Sequence, residues 1–330
     1  MTRLDAEPEE AVAEEPSPPA GPRSLLLEAR DVPLGGVRAM EVHRSLPQRD
    51  LPTVGAWCFL DRFGPQRARM RVEPHPHIGL QTVTWPIVGE VRHRDAVGSD
   101  VVIARSQLNL MTSGAGISHS EYSVGEGEVP LDALQLWVAL PESRRHGGPA
   151  FERHERLPEI ALPTRDGPDA VATVVMGELA GVSSPATAYT PIVGAELRIP
   201  QGAVVTVPLH EEWEYALAGV HGHGALALDG GAEPSVRPEQ LLYLGTQRAR
   251  IEIAAPDADT TLFLLGGEPF EDDIVMWWNF VGRSHDEILA ARDEWEAGSP
   301  RFGHVVGHGD ERIPAPPLPH VRLTRRRRRL

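Results

Sequence analysis

Short apolar segments separated by turn residues run along most of the chain. In the first half they include QTVTWPIV (81–88), DVVIA (100–104) and LDALQLWVAL (131–140). Between residues 170 and 267 they are AVATVVMG, AELRIP, AVVTVPL, EYALAGV, GALALDGG, QLLYLG, ARIEIAA and TTLFLLGG. The 32 glycines and 31 prolines supply the turns between them. Short strands at such spacing are typical of sandwiches and barrels, so we predict an all-β chain with two β domains in tandem.

Changes in composition suggest where these domains begin and end. Residues 1–23 are acidic and proline-rich, which is typical of a disordered leader. We expect one β-barrel over residues 24–145 and a second over 146–310, with the polar stretch 141–159 as the linker between them. Residues 311–330 are rich in proline and arginine, and we expect an extended basic tail there.

One segment near the end has the pattern of a helix. In RSHDEILAARDEWEAG (283–298), Ser284 and Glu287 have the spacing of a capping box. Ile288, Ala291 and Trp295 fall on one face at helical spacing. Gly298 stands where a helix stops.

The net charge of −15 argues against a body that binds nucleic acid through its phosphates. The five arginines at 325–329 are the exception: such a run could be a basic arm for nucleic acid or an acidic partner, but we favour a solvated terminus. No apolar run is long enough for a bilayer, and the N-terminus lacks the pattern of a secretory signal. The single cysteine, Cys58, excludes an intramolecular disulfide and fits a reducing compartment. We therefore expect a cytoplasmic protein with no membrane partner.

Two histidines stand one residue apart in EPHPHIGLQTVTW (73–85). Residues at i and i+2 share one face of a strand. His75 and His77 would therefore point the same way, together with Gln81 and Trp85 farther along. The prolines beside the histidines lack the N–H that a ladder needs, which favours a rim position. An accessible metal site is expected at such a rim.

A second pair, His119 and Glu121, occupies i and i+2 in LMTSGAGISHSEYS (110–123). Two neighbouring antiparallel strands could carry both pairs on one wall. Three imidazoles and one carboxylate would fill four positions of an octahedral ion and leave two open for water, oxygen or substrate. Without further cysteines the ligands are histidine and carboxylate, which suit iron, manganese, nickel, copper or zinc.

Other histidines fit ordinary roles better. His221 and His223 lie between glycines, with no apolar strand leading from them and no later His-x-Glu pair, so we expect a surface turn. His93, in VRHRD, is expected to be a hydrogen-bonded turn residue.

The two segments EPHPHIGLQTVTWPIVGEVRHRDAVGSD and LNLMTSGAGISHSEYS together resemble the pirin family of the cupin superfamily. The pattern HPHxGxxTVT…GEVxHRDxxG…MTxGxGIxHSE is nearly intact. The stretch GEPFEDDIVMWWNFVGRSHDEILAARDEW also resembles the ending of bacterial relatives, so the resemblance covers about residues 24–304. It implies two cupin barrels facing each other, a C-terminal helix, and one mononuclear iron in the N-terminal barrel.

Carried over residue by residue, the resemblance implies the ligands His75, His77, His119 and Glu121, and a second barrel without metal. Iron(II) is the implied ion, with manganese, nickel, copper or zinc as the alternatives.

Three departures from the family pattern bear on the substrate. Gln81 stands where many cupins carry glutamate, Ile78 where some pirins have arginine, and Pro86 where an apolar residue is usual. Gln81 and Trp85, on the predicted histidine face, and Ile78 beside it are our candidates for contacts with the substrate.

The resemblance implies two alternative functions. Some pirins open a flavonol with molecular oxygen and release carbon monoxide, as quercetin 2,3-dioxygenase does; the partners would be a small aromatic substrate and O2. Glu121 would then act as catalytic base as well as ligand. The alternative is a non-catalytic, metal-dependent redox sensor or transcriptional co-regulator that acts through protein partners. The fold does not choose between them, but an aromatic-sized cavity over the metal would favour the enzyme.

Overall fold

The computed structural model describes residues 21–34, 40–165, 167–228, 233–318 and 321–325. The predicted leader lies almost wholly outside this part of the chain, as do the last four of the five tail arginines. The described part is built from short strands and one α-helix, which confirms the all-β prediction.

The first half of the chain contributes twelve strands. They are β1 (Pro22–Glu28), β2 (Arg30–Leu34), β3 (Met40–Leu46), β4 (Trp57–Ala68), β5 (Arg71–His77), β6 (Leu80–Val88), β7 (Val91–Asp95), β8 (Asp100–Ile103), β9 (Leu108–Thr112), β10 (Ile117–Ser123), β11 (Val129–Ala139) and β12 (Ala150–His154).

The second half contributes the remaining strands and the helix. They are β13 (Glu159–Leu162), β14 (Ala170–Leu179), β15 (Val182–Ser183), β16 (Ile192–Ile199), β17 (Val204–Pro208), β18 (Glu214–His221), β19 (Gly224–Ala227), β20 (Ser235–Val236), β21 (Gln240–Gly245), β22 (Arg250–Ala254), β23 (Thr260–Gly267), β24 (Val275–Trp277), β25 (Phe280–Gly282), α1 (His285–Glu296) and a 3₁₀ turn over Pro300–Phe302. Every apolar segment that predicted a strand contains one.

Each barrel pairs a large sheet with a smaller one. In the first, the sheet β12-β9-β6-β11-β4-β3-β2 faces the sheet β5-β10-β7-β8. In the second, the sheet β1-β21-β18-β23-β16-β14-β13, with β15 on β14, faces β17-β22-β19-β20.

The two barrels pack through the outer faces of their large sheets. Leu60, Trp85 and Leu136 of the first meet Val175 and Phe263 of the second in one buried cluster. The Trp57 indole N–H also donates to the carbonyl of Val193 across this boundary, at 2.9 Å. The boundary is therefore a hydrophobic core, and the barrels do not sit as independent units on a linker.

The strands at the barrel boundaries are exchanged, which differs from the predicted boundaries at 24–145 and 146–310. Strand β1 pairs with β21 in the second barrel, and β12, inside the predicted linker 141–159, pairs with β9 in the first. An alternating pattern shows that a segment is a strand, but edge strands choose partners through backbone groups that any sequence presents.

The helix matches its prediction closely. Ser284 is the N-cap, and its hydroxyl accepts from the Glu287 N–H. Ile288, Ala291 and Trp295 are the buried residues of α1. The Glu287 carboxylate accepts a 2.8 Å bond from the Arg283 N–H instead of closing a reciprocal box on Ser284.

The C-terminal segment returns to the first barrel, although the sequence assigned residues up to 310 to the second. Ile78, directly after β5, forms an isolated parallel bridge with Phe280 of β25, and both residues join the cluster around α1. The predicted tail at 311–330 lacks regular structure where described. It is held to the body because the Ile313 N–H donates to the carbonyl of Pro74 at 2.8 Å.

In the part of the chain that the structure describes, no helix combines the length and apolar character needed to span a bilayer.

Candidate metal centre

Two antiparallel strands carry the histidine pairs. In the register of β5 and β10, His75 lies opposite His119, and His77 lies opposite Ile117. The register shifts between His119 and Glu121, so Glu121 lies opposite Val72. Side chains directly opposite each other in a sheet share a face, which is how His75 and His119, far apart in the sequence, meet inside the first barrel.

Three imidazoles converge at this point. The Nε2 atoms of His77 and His119 are 3.0 Å apart, and the ring of His75 lies 4.3 Å from that of His119, between centroids. Ligand atoms of all three lie within 4.8 Å of one another. All three residues are buried.

Backbone carbonyls orient two of these rings. His75 Nδ1 donates to the carbonyl of Glu73 at 2.9 Å, and His77 Nδ1 to that of Asn279 at 3.1 Å. A carbonyl oxygen only accepts, so both Nδ1 atoms carry the proton and both Nε2 atoms keep a lone pair. These carbonyls are the outer contacts that orient metal-binding histidines in proteins.

The donor set fits a transition metal. Two nitrogens about 2.1 Å from one ion and at right angles to each other are about 3.0 Å apart, which is the separation of the His77 and His119 Nε2 atoms. The Nε2 lone pair of His77 faces His119 Nε2 at this distance, so the two nitrogens need a proton or a cation between them. A cation bound to both satisfies them without charging an imidazole.

Burial keeps the imidazoles neutral. Desolvation lowers the pKa of His75 to about 4. It also lowers the pKa of His77 and of His119 well below the ordinary value, and neighbouring histidines add to the effect. Neutral imidazole is the form that binds metal.

Glu121 lies beside this cluster. Its Oε1 accepts a 3.0 Å bond from the Thr84 hydroxyl, and it forms a second group of ligand atoms within 4.8 Å with His93 and His119. Burial raises its pKa, while His93 and the Thr84 hydrogen bond act in the opposite direction. The three histidines and Glu121 all line one cavity.

That cavity has a volume of about 480 Å³, within the range of about 300–1,000 Å³ typical of pockets for small organic ligands. Phe59 and Trp137 stack on its wall with ring centroids 3.9 Å apart. The rings of Trp137 and His77 are nearly perpendicular, and their centroids are 5.2 Å apart. Trp277 and Trp278 line it from the C-terminal hairpin β24–β25. Asp61 gives the cavity a polar side. Its two carboxylate oxygens accept hydrogen bonds of 2.7 and 2.8 Å from the Arg44 guanidinium.

The structure does not place Ile78, Gln81 or Trp85 at the cavity. Ile78 packs against Phe280 and α1. The Gln81 amide donates to the Thr112 hydroxyl and to the carbonyl of Thr187. The Trp85 indole donates to Glu196 of the second barrel at 2.8 Å. All three side chains are therefore held by contacts within the protein interior, away from the cavity.

The reason is a break in the predicted strand. The chain turns at Gly79, where φ is +69°, so β5 and β6 belong to different sheets. Thr82 and Thr84 face into the barrel, while Gln81 and Trp85 face the second barrel. A period-2 pattern carried through residues 75–85 could not detect this turn.

His93 is not the turn residue that the sequence suggested. It lies in β7, is buried, and stacks on Phe151 at 4.6 Å between centroids. Its Nδ1 is 3.3 Å from His119 Nδ1. The motif VRHRD was visible in the sequence, but only the pairing of β7 with β10 shows that it adjoins the centre.

The histidines at 221 and 223 lie apart from the centre, in the second barrel. His221 is exposed at the end of β18, and His223 Nδ1 is 3.0 Å from Asp257.

A first barrel with a cluster of histidines inside, joined to a second barrel through their large sheets, defines a two-domain cupin with a candidate metal centre. The family model "Pirin" matches residues 38–138, and "Pirin C-terminal cupin domain" matches residues 194–303. The chain belongs to the pirin family.

Individual relatives cover most of the chain. A Pseudomonas aeruginosa protein named "Putative quercetin 2,3-dioxygenase" is 40% identical over 88% of this chain and 89% of its own. A pirin-like protein of Caulobacter vibrioides is 34% identical over 88% of this chain and 99% of its own. The crystal structure of quercetin 2,3-dioxygenase from Acinetobacter baumannii superposes with a TM-score of 0.82 at 37% identity, covering 91% of this chain and 97% of that one.

Proposed function

We propose that this protein is a mononuclear metal-dependent dioxygenase of the quercetin 2,3-dioxygenase type, acting on a flavonol or a similar enolisable aromatic compound. The ligands would be His75, His77, His119 and Glu121, and the ion iron(II). The observation that carries the proposal is the aromatic-walled cavity of about 480 Å³ that opens directly on the three converging imidazoles. The names of the Pseudomonas and Acinetobacter relatives support the same activity.

The chain's own residues have separable roles in this proposal. Trp277 offers an aromatic surface against which a planar substrate can pack, and the stacked pair Phe59 and Trp137 forms an apolar wall of the cavity. Asp61, held by Arg44, provides a fixed polar group that can accept a hydrogen bond from a phenolic hydroxyl far from the reacting ring. Together they would orient the substrate and exclude water from its reacting edge.

Glu121 would take the proton from the reacting hydroxyl. Its carboxylate lines the cavity next to His119, so a substrate hydroxyl bound beside the imidazoles could transfer its proton to it. The Thr84 hydroxyl, at 3.0 Å, holds one of its oxygens in place. A bound transition metal supplies Lewis acidity toward the substrate hydroxyl and redox activity toward molecular oxygen.

The test is oxygen-dependent turnover on a preparation of known metal content. Anaerobic protein loaded with iron(II) is mixed with quercetin, and air is then admitted. We expect loss of the flavonol absorbance band, uptake of one O2 per flavonol and release of carbon monoxide. Chelator-treated protein and the His119→Ala variant serve as controls and should show none of these changes.

A failed test separates two cases. Protein that holds about one metal ion per chain but consumes no member of a flavonoid panel would favour the sensor or co-regulator function through a protein partner. Protein grown with iron and purified without chelator that holds no transition metal would overturn the site itself.

A further inference from the structure

His93 and Asp95 lie behind the candidate centre, outside the set of four ligands. Strand β7 runs beside β10, and the register places Asp95 opposite His119 and His93 opposite Glu121. All four side chains therefore project from the same face of this sheet. His93 is 1% exposed and Asp95 is 2% exposed, so solvent does not share in their hydrogen bonds.

The Asp95 carboxylate has both of its oxygens engaged. Oδ1 accepts from the backbone N–H groups of Val97 at 3.0 Å and Ser99 at 2.9 Å. Oδ2 lies 3.0 Å from His93 Nε2. An ionised carboxylate only accepts hydrogen bonds, so His93 must carry its proton on Nε2.

The position of the His93 proton determines which nitrogen of His119 is protonated. With its proton on Nε2, a neutral His93 has a lone pair on Nδ1, which lies 3.3 Å from His119 Nδ1. His119 is then the donor of that contact and carries its proton on Nδ1. Its Nε2 is left with a lone pair that faces His77 Nε2 at the candidate centre.

We propose that Asp95 and His93 are positioning residues for His119, which hold its Nδ1–H and thereby present Nε2 to the metal. The inference rests on the proposed site and deepens it. For His75 and His77 a backbone carbonyl performs this task; for His119 the task falls to a side-chain relay. Phe151, from strand β12, stacks on the His93 ring with centroids 4.6 Å apart and so limits its rotation.

The sharpest variant is Asp95→Asn. The two backbone N–H groups at 97 and 99 require an acceptor, so they hold the amide oxygen and turn the amide NH2 toward His93. The proton pattern of the relay then reverses, and His119 carries its proton on Nε2, where the metal should bind. We expect metal affinity to fall about 10- to 100-fold, measured with Zn(II) by chelator competition on the full chain. Asp100→Asn, an exposed position on β8, is the matched control and should leave affinity unchanged.

A pair of variants at position 93 separates positioning from packing. His93→Phe keeps an aromatic ring against Phe151 but removes the acceptor for His119. His93→Asn loses the ring but offers a side-chain oxygen close to the place of Nδ1. We expect asparagine to retain more Zn(II) affinity than phenylalanine, whereas phenylalanine should retain the higher melting temperature. The opposite order of affinities would overturn the proposal.

The wild-type protein provides a test that needs no variant. Long-range ¹H–¹⁵N NMR spectra of the imidazoles identify the protonated nitrogen of each histidine. We expect His93 protonated on Nε2 and His119 on Nδ1 in the Zn(II)-loaded chain, where the metal shifts the Nε2 resonances of the three ligand histidines and neither nitrogen of His93. A metal shift on a His93 nitrogen would make His93 a ligand within the group it forms with His119 and Glu121, and would overturn the positioning role.

Discussion

The carbonyl of Ile78 accepts a 3.1 Å hydrogen bond from the N–H of Val281, joining the end of β5 to the C-terminal hairpin β24–β25. The same hairpin supplies the Asn279 carbonyl that orients His77. A segment about 200 residues away from the histidines in sequence therefore forms part of the candidate centre. The closeness of this packing makes the turn after His77 a sensitive position.

Gly79→Ala should destabilise the protein and weaken metal binding. Gly79 has φ of +69°, and a Cβ there would lie 2.0 Å from the Val281 carbonyl oxygen. The positive φ alone costs about 1–2 kcal/mol for an L-residue. Relief of the clash would also displace His77, so Zn(II) affinity should fall. Chemical denaturation and chelator competition measure the two effects.

Gly202→Ala, in a turn of the second barrel, is the matched control for that variant. Gly202 also has a positive φ, of +77°, but a Cβ there would meet nothing within 4 Å. We expect Gly79→Ala to lose about 1–3 kcal/mol more stability than Gly202→Ala, since overpacking costs roughly that amount. Equal losses would show that the contact with Val281 does not constrain the turn.

His119→Ala should abolish metal retention and leave the β fold intact. His119 belongs both to the group of three imidazoles and to the group that contains Glu121, so its loss removes the ligand that the two groups share. The metal content measured by elemental analysis should fall from about one ion per chain to near zero, while the far-UV circular dichroism spectrum stays unchanged. His221→Ala, at an exposed position, should keep its metal. Full occupancy in the His119 variant would refute the ligand assignment.

Trp85→Phe should lower stability without changing metal content or substrate affinity. The indole N–H donates to buried Glu196 at 2.8 Å, and loss of one partner of a buried hydrogen bond costs about 1–3 kcal/mol. Denaturant titration measures the loss. A changed KM for a flavonol with unchanged stability would restore Trp85 as a substrate contact.

Trp277→Ala should weaken binding of an aromatic ligand while metal content is kept. Trp277 lines the cavity from the hairpin and is only partly buried, so truncation should not unfold the barrel. A lost aromatic contact of about 1.4 kcal/mol corresponds to a tenfold increase in Kd, measurable by calorimetry under anaerobic conditions. Trp213→Ala, a partly buried tryptophan of the second barrel, is the control. Equal affinities in both variants would place the ligand elsewhere.

The local elements were predictable because they depend on neighbouring residues. Alternation and turn residues identified the strands of both barrels, and the spacing of Ser284, Ile288 and Gly298 identified the only α-helix in the described ranges. The HxH and HxE pairs likewise needed only period-2 geometry, since each pair sits within one strand.

The surroundings of the site depended on contacts between distant segments. The sheet switch at Gly79 turned Gln81 and Trp85 away from the cavity, and a hairpin at 275–282 closed over the histidines. His93 became a neighbour of His119 only through the pairing of β7 with β10. Strands pair through backbone hydrogen bonds that do not depend on side-chain identity, so a local sequence pattern does not predict which strands pair.

The sequence by itself determined the fold class, the family and the three histidines that converge, because strand periodicity and short motifs are properties of contiguous residues. Only the tertiary structure decided which side chains face the metal position and with which barrel each edge strand pairs. It also decided which nitrogen of each imidazole is free to bind a metal. These follow from burial and strand register, and both are set when segments far apart in the chain compete for the same hydrogen bonds and the same core.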